Sequence, residues 1–259
     1  AEFFSFATND LKWGSARFGR CKATLSSLSQ FIEKFYDDEY PNFRNVILRS
    51  IESMPKNPTR EKTVFTEEEV DKLMKYLEEK DIQQATWLAL VLASGARFSE
   101  LLRFKIDSIN INKTAFDGIF LETTKQIKTK GRSKTGKMLY KYVIKDIFLP
   151  RYELWVEKRK EIMTANGVEE HESLFIKRDG TPAAVGTVRS WINGMDNYMK
   201  IPVYPHAFRH YITTYMSKKG LPPQLIKEIM GWESTLMVER YDDTTVKDKQ
   251  WNELEALKK

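Results

Sequence analysis

The 259-residue chain has one cysteine, Cys21, and three histidines. A lone thiol forms neither an internal disulfide nor a cysteine-based metal site, which fits a reducing compartment and argues against zinc. Cys21 itself reads as a packing residue. No run approaches the ~18 consecutive apolar residues of a membrane span, and the N-terminus lacks a charged-then-apolar signal pattern. The expectation is a soluble cytoplasmic protein without a membrane partner. Carboxylates clustered for two metal ions are also missing, which weighs against a metal-dependent nuclease. There is no internal repeat and no low-complexity tract. The chain opens at "AEFF" rather than at Met, which is compatible with missing upstream residues.

What is present begins with a hydrophobic fraction of 41%, enough for one sizeable domain or two small ones. Lysine and arginine outnumber the acids 42 to 36, and the net charge of +6 points weakly to a polyanionic partner. The distribution says more. "TTKQIKTKGRSKTGKMLYKYVIK" (123–145) holds seven lysines, one arginine and no acid. Such a stretch is usually a solvated hairpin, but Lys125, Lys128, Arg132 and Lys137, interleaved with Tyr140 and Tyr142, are candidates for lying on phosphates. The two tyrosines themselves read as strand residues.

Up to about Glu52 the pattern is helical, with Leu25, Leu28, Ile32 and Phe35 at spacings of three and four. "MPKNPTREKT" (54–63) breaks it with two prolines and mixed charge, and reads as a linker. Thr66 and Glu69 then form a capping box that starts a new helix. "DIQQATWLALVLASGARFSELL" follows as a buried helix broken near Gly95. Between about Ala115 and Leu149, β-branched and aromatic residues alternate with polar ones around "KGRSKTGK", predicting a small antiparallel sheet with a basic turn. After Pro150 the helical period returns and runs through "TVRSWINGMDNYM", "HAFRHYITTYMSKKG", "PPQLIKEIMGW" and "STLMVERYDD". "DKQWNELEALKK" closes the chain, with Trp251, Leu254 and Leu257 on one face. The fold class is mainly α with a small antiparallel β-sheet, split into residues 1–53, a linker 54–63 and a larger unit 64–259 with a C-terminal tail helix.

Two of the three histidines and an arginine crowd one helix start in "PHAFRH". His206 and Arg209, at i and i+3, share a face at an end of a helix that favours anions. Alone, this is a capping histidine and a surface arginine. In "SGARFSELLRF", Arg97 follows a small-residue break and Glu100 comes three residues later, placed to orient its fork. In "GWESTLMVERYDD", Trp232 follows a helix-ending Gly231, and Tyr241 ends a short helix. A tyrosine has a pKa of about 10, so its use as a nucleophile needs adjacent cations.

The ordered set of Arg97, a hairpin lysine, His206-x-x-Arg209, Gly231-Trp232 and Tyr241 resembles the tyrosine recombinase (phage integrase) family over residues 62–245. The segment before it resembles, less specifically, the later part of that family's core-binding domain, and upstream sequence would supply the rest. The resemblance implies a two-domain architecture that clamps duplex DNA and a reaction that proceeds through a 3′-phosphotyrosyl intermediate. It makes Tyr241 the nucleophile, Arg97 and Arg209 the clamp on the non-bridging oxygens, and His206 the group that exchanges the tyrosine proton. A hairpin lysine would protonate the leaving 5′-oxygen. No metal or nucleotide cofactor is implied. The partners implied are duplex DNA attachment sites, three further copies of the chain in a tetramer on two sites, and DNA-bending accessory proteins.

Trp232 stands where many members carry histidine, and its indole N–H can serve as donor. The lysine stays open between Lys130, which ends the outgoing strand, and Lys134 in "SKTG". Glu100 and His210 are expected to support the catalytic groups, His210 lying about 100° round the helix from Arg209. Tyr211 and Tyr215 read as core aromatics. The final helix would dock on a neighbouring protomer or on its own domain. The expected function is integration or excision of a mobile element in bacteria. A type IB topoisomerase, which shares the tyrosine chemistry, and a catalytically silent architectural DNA-binding protein are the alternatives.

Overall fold

The structure, a computed structural model, describes residues 2–54, 62–129 and 137–243, with Leu48 by its backbone alone. The chain divides into two units, Ala1–Glu61 and Lys62–Lys259.

The first unit contains helices α1 (Glu2–Asn9), α2 (Ser15–Phe35) and α3 (Ile47–Ser50). Its inward face differs from the expected stripe. Leu28 and Phe35 are 53% and 63% exposed, while Phe18, Lys22 and Ser26 are buried. Phe18 packs on Phe4 at a ring separation of 4.9 Å. Lys22 donates to Ser53 Oγ at 3.2 Å and to the Ile51 carbonyl, and Asn45 Nδ2 donates to the Ser26 carbonyl at 2.9 Å. Polar ties to the returning chain, rather than apolar periodicity, therefore choose which side of α2 is covered.

In the second unit, α4 (Glu67–Lys80) begins at the expected capping box: Thr66 Oγ1 accepts from Glu69 N at 3.2 Å and Glu69 Oε2 accepts from Thr66 N at 2.9 Å. Helix α5 (Ile82–Ser94) is apolar on all sides and buried throughout from Ala85 to Ser94, as a helix without a polar face must be. It packs against α4 and helices introduced below, and ends at Gly95, whose φ of +54° is the left-handed conformation that glycine adopts without penalty. A short α6 (Phe98–Leu101) and a 3-10 turn (Ile106–Ser108) lead into the strands.

The strands β1 (Ile109–Ala115), β2 (Phe120–Thr123), β3 (Ile127–Thr129), β4 (Lys137–Leu139) and β5 (Tyr142–Ile144) form two antiparallel sheets rather than one. The first has the order β1-β2-β5, with Leu121 opposite Val143; the second is the β3-β4 hairpin, with Ile127 opposite Leu139. The first strand also starts before the alternation in the sequence suggests.

Helix α7 (Lys145–Ala165) starts ahead of Pro150 and carries that proline inside it. A proline this close to the start interrupts one bond of the ladder, and Arg151 Nη1 donates to the neighbouring Ile147 carbonyl at 2.8 Å. Burial of Phe148 and Trp155 holds the helix against α5. Helices α8 (Val185–Met199), α9 (Pro205–Lys218), α10 (Pro223–Met230) and α11 (Leu236–Tyr241) complete the described chain. Phe208 of α9 stacks on Phe65 with centroids 4.9 Å apart. A second apolar cluster of Ile212, Met216, Ile226, Ile229, Met230 and Val238 supports α11 from below. Tyr211 and Tyr215 are half-buried and stack on each other at 6.2 Å rather than filling the core. The tail helix expected at Trp251, Leu254 and Leu257 lies outside the described residues. No described helix is long and apolar enough to cross a membrane.

Candidate active site

Arg97 sits at the N-cap of α6 in extended conformation (φ −72°, ψ 154°), so its side chain leaves the helix start sideways. Glu100, fully buried, holds it from two directions. Its Oε2 accepts from Arg97 N at 3.0 Å and its Oε1 from Arg97 Nη1 at 2.9 Å. The remaining Arg97 donors face a cleft, since its side chain is 26% exposed.

Arg209 reaches the same place from the opposite side. It is buried on α9, donates from Nη2 to the Met230 carbonyl at 3.1 Å and from Nη1 to the Gly95 carbonyl, and is thereby fixed to the ends of α5 and α10. A Cβ at Gly95 would overlap the side chain of Met230, so glycine is needed there for close approach as well as for its φ. Burial, and secondarily the like charge of Arg97, push Arg209 down to about 10, which leaves it cationic at neutral pH.

Trp232 follows Gly231, whose φ of +66° ends α10. The Arg209 guanidinium carbon lies 5.0 Å from the centre of the Trp232 ring and 5.9 Å from that of Tyr241. The Tyr241 ring in turn lies 5.0 Å from Trp232 and 4.4 Å from His210. Trp232 Nε1 and Arg209 Nε are buried N–H groups with no hydrogen-bond partner among the described residues. His206, exposed in the first turn of α9, lines with Arg97, Trp232, Tyr241 and Lys137 an open cleft of about 740 Å³.

The segment after Tyr241 is tied back to α9 and to the first residues of this unit. Ser217 Oγ donates to Asp242 Oδ2 at 2.8 Å, and Asp243 N donates to Thr214 Oγ1 at 2.8 Å. Asp243 also meets His210 Nδ1 at 3.3 Å and forms an ion pair with Lys62. Burial pushes His210 below its ordinary value, and Lys62 adds to this; the Asp243 carboxylate opposes it without prevailing.

The structure thus brings together Arg97, Glu100, His206, Arg209, His210, Trp232 and Tyr241. Lys130, its rival Lys134, and Arg132 lie outside the described residues. Among the proposed DNA-binding lysines, Lys137 is exposed on β4 at the cleft and Lys128 is exposed on β3. Lys125 is engaged by Asp107 at 2.6 Å and does not line the cleft. Among the described residues, no group of three or more His, Cys, Asp or Glu is placed to hold a metal ion.

One residue of this constellation is not expected from the motifs. Lys141 is 1% exposed, with Nζ 3.4 Å from Glu100 Oε2. Burial pushes it down to about 8; the Glu100 charge resists this, while Arg209 and Arg97 add to it. Burial also disfavours ionised Glu100, but the Lys141 charge and the Arg97 hydrogen bonds outweigh it and hold the carboxyl below its usual range. The sequence does carry a signal: Lys141 stands just ahead of β5, two residues before Val143, which faces the core.

Residues 63–248 match the model of the phage integrase family. The chain is 27% identical over 222 residues to Transposase B from transposon Tn554 of Staphylococcus aureus, covering 82% of this chain and 33% of that protein. It is 24% identical over 267 residues to Tyrosine recombinase XerA of Pyrococcus furiosus, covering 88% and 86%. The chain therefore spans about a third of the length of the first relative (33%) and most of the second (86%). Of solved structures, that of the Tn1549 transposon integrase with transposon right end DNA superposes with a TM-score of 0.66 at 14% identity, over 100% of this chain and 84% of that one. The XerA recombinase crystal structure gives 0.60 at 14% identity, over 98% and 81%. At these identities the likeness to solved structures is one of fold.

Proposed function

Because the chain belongs to the phage integrase family, we propose that it cleaves and rejoins DNA at specific sites through a 3′-phosphotyrosyl intermediate, in the integration and excision of a mobile element. The observation that carries this reading is the convergence of a guanidinium and an indole on one phenol, with Arg209 5.0 Å from Trp232 and 5.9 Å from Tyr241, in a cleft that Arg97 also lines. Residues 1–53 act in this reading as the later part of a core-binding domain, 54–63 as linker and 64–259 as catalytic domain.

Tyr241 Oη attacks the scissile phosphorus, forming the Tyr–O–P bond as the P–O5′ bond breaks. His206 takes the phenolic proton. The leaving 5′-oxygen receives a proton from the hairpin lysine, Lys130 or Lys134, and departs as a hydroxyl. Negative charge grows on the non-bridging oxygens, where Arg97, Arg209 and the Trp232 N–H stabilise it. The 5′-hydroxyl of a partner strand then attacks the phosphotyrosyl bond, and each step runs in reverse. One phosphodiester bond is exchanged for another, so no nucleotide is consumed. Lys128 and Lys137, with Lys125 and Arg132, would meet the DNA backbone. The partners of this reaction are duplex attachment sites, four protomers assembled on two sites, and DNA-bending proteins, in the bacterial cytoplasm. The similarity to the Tn554 transposase supports the mobile-element assignment.

The test is a suicide-substrate assay. Nicked duplexes selected by binding from a randomised pool are incubated with wild type and Tyr241→Phe, then run on a denaturing gel. A covalent adduct formed by the wild type and absent from Tyr241→Phe is expected. Sequence-specific binding with no adduct from either protein would replace this reading with an architectural one. Relaxation of supercoils by monomers without site preference would replace it with a topoisomerase.

A further inference from the structure

Beneath the two arginines lies a buried charge that this scheme does not use. Lys141 approaches Glu100 Oε2 at 3.4 Å, the same oxygen that accepts from Arg97 N. Its backbone is fixed by Thr123, whose Oγ1 accepts from Lys141 N at 2.9 Å and whose N donates to the Lys141 carbonyl at 3.0 Å. A Cβ at Gly231 would lie 3.4 Å from Lys141 Nζ, so the turn before Trp232 closes directly over the ammonium. At 1% exposure, Lys141 touches protein on all sides and cannot hand a proton to a DNA strand.

A core-facing position ordinarily takes an apolar residue, and a buried ion pair is often no more stabilising than apolar packing of similar volume. The charge therefore needs a reason other than stability. Without it, Glu100 would offset one of the two arginines. With it, three cations and one carboxylate leave two positive charges at the cleft, matching the two negative charges that a phosphodiester monoanion approaches under attack.

We propose that Lys141 is a positioning residue of the phosphate site: its ammonium holds Glu100 against Arg97 and cancels the carboxylate charge, leaving both arginines' charge to the scissile phosphate. This rests on the strand-cleavage reading above. The charged groups that face the ammonium are Glu100 and Arg97 from the α6 turn and Arg209 from α9, while α10 presents the Gly231 backbone.

Two measurements test it. In the first, adduct formation is followed at sub-saturating nicked duplex across the pH range, which reports groups of the free enzyme. The wild-type rate is expected to fall above about pH 8, as the ammonium loses its proton. Lys141→Met should lower the plateau by on the order of 30-fold, less than the ~100-fold or more for loss of a direct donor, and abolish the alkaline decline. Lys141→Arg, which keeps the charge at high pH, should restore part of the rate without the decline. If Lys141→Met does not fold, Lys141→Gln serves in its place.

In the second, proton uptake on duplex binding is measured by calorimetry in buffers of different ionisation enthalpy at about pH 8.5, with Tyr241→Phe alone and with Lys141→Met added. Tyr241→Phe should take up protons on binding, because an arriving phosphate favours the charged lysine, and the double variant should take up fewer. If the wild type gives no adduct, the cleavage reading fails, and this measurement alone decides whether Lys141 senses the phosphate. Wild-type rate with an unchanged alkaline decline in Lys141→Met, or equal proton uptake by both binding-only proteins, overturns the proposal.

Discussion

The imidazole of His210 lies against the phenol of Tyr241, with centroids 4.4 Å apart and planes 30° from each other. Trp232 approaches the same phenol at 5.0 Å. The proposed nucleophile is therefore held by rings as well as by its own short helix. His210→Ala should slow adduct formation by about 10- to 100-fold, the scale on which small displacements of reacting groups act, with duplex affinity unchanged. Single-turnover cleavage beside a binding titration separates the two effects.

The same histidine should make stability depend on acid. Burial holds its folded pKa below the ordinary value. As pH falls, the unfolded chain binds a proton at this residue first, at about 6.5, so the unfolded state holds more protons and stability drops as pH falls from there through the lower folded value. Urea midpoints measured from neutral pH downward should show this loss, and His210→Asn, which does not titrate, should show less of it.

Gly95→Ala combines two faults, a positive φ of +54° and overlap with Met230. We expect a loss of about 1–3 kcal/mol from the backbone alone, and more from the displaced Met230. Thermal unfolding measures it. Because the Gly95 carbonyl accepts from Arg209, cleavage should fall even at temperatures where the variant remains folded.

Arg209→Lys keeps the charge but not the fork. It cannot satisfy the Gly95 and Met230 carbonyls and a phosphate together, and each buried acceptor left unpaired costs about 1–3 kcal/mol. Adduct formation should fall by about 100-fold or more. A variant with wild-type melting behaviour and near-wild-type cleavage would remove Arg209 from the clamp.

Much of the second unit is legible because its signals are local. The Thr66–Glu69 box, the glycine stops at Gly95 and Gly231, and the short helix ending at Tyr241 are each written in adjacent residues, and the structure has them there. The face of α2 is not local: Lys22 and Ser26 are buried because the chain near Asn45 and Ser53 returns to bond them. Helix α7 starts before its proline because burial of Phe148 outweighs one missing bond. Lys141 stays hidden among seven lysines of a basic stretch, where composition suggests solvent and only its spacing of two from the core-facing Val143 places it inward.

The double anchoring of Arg209 gives the site an all-or-none character. Its guanidinium joins the end of α5 to the end of α10, so the groups around it come into register only when segments far apart in the chain have all docked. A partly folded molecule would keep most of its helices and none of this arrangement. Covalent capture by a nicked duplex would then count fully folded molecules one by one, and the yield of adduct in a preparation would serve as a titration of its native fraction.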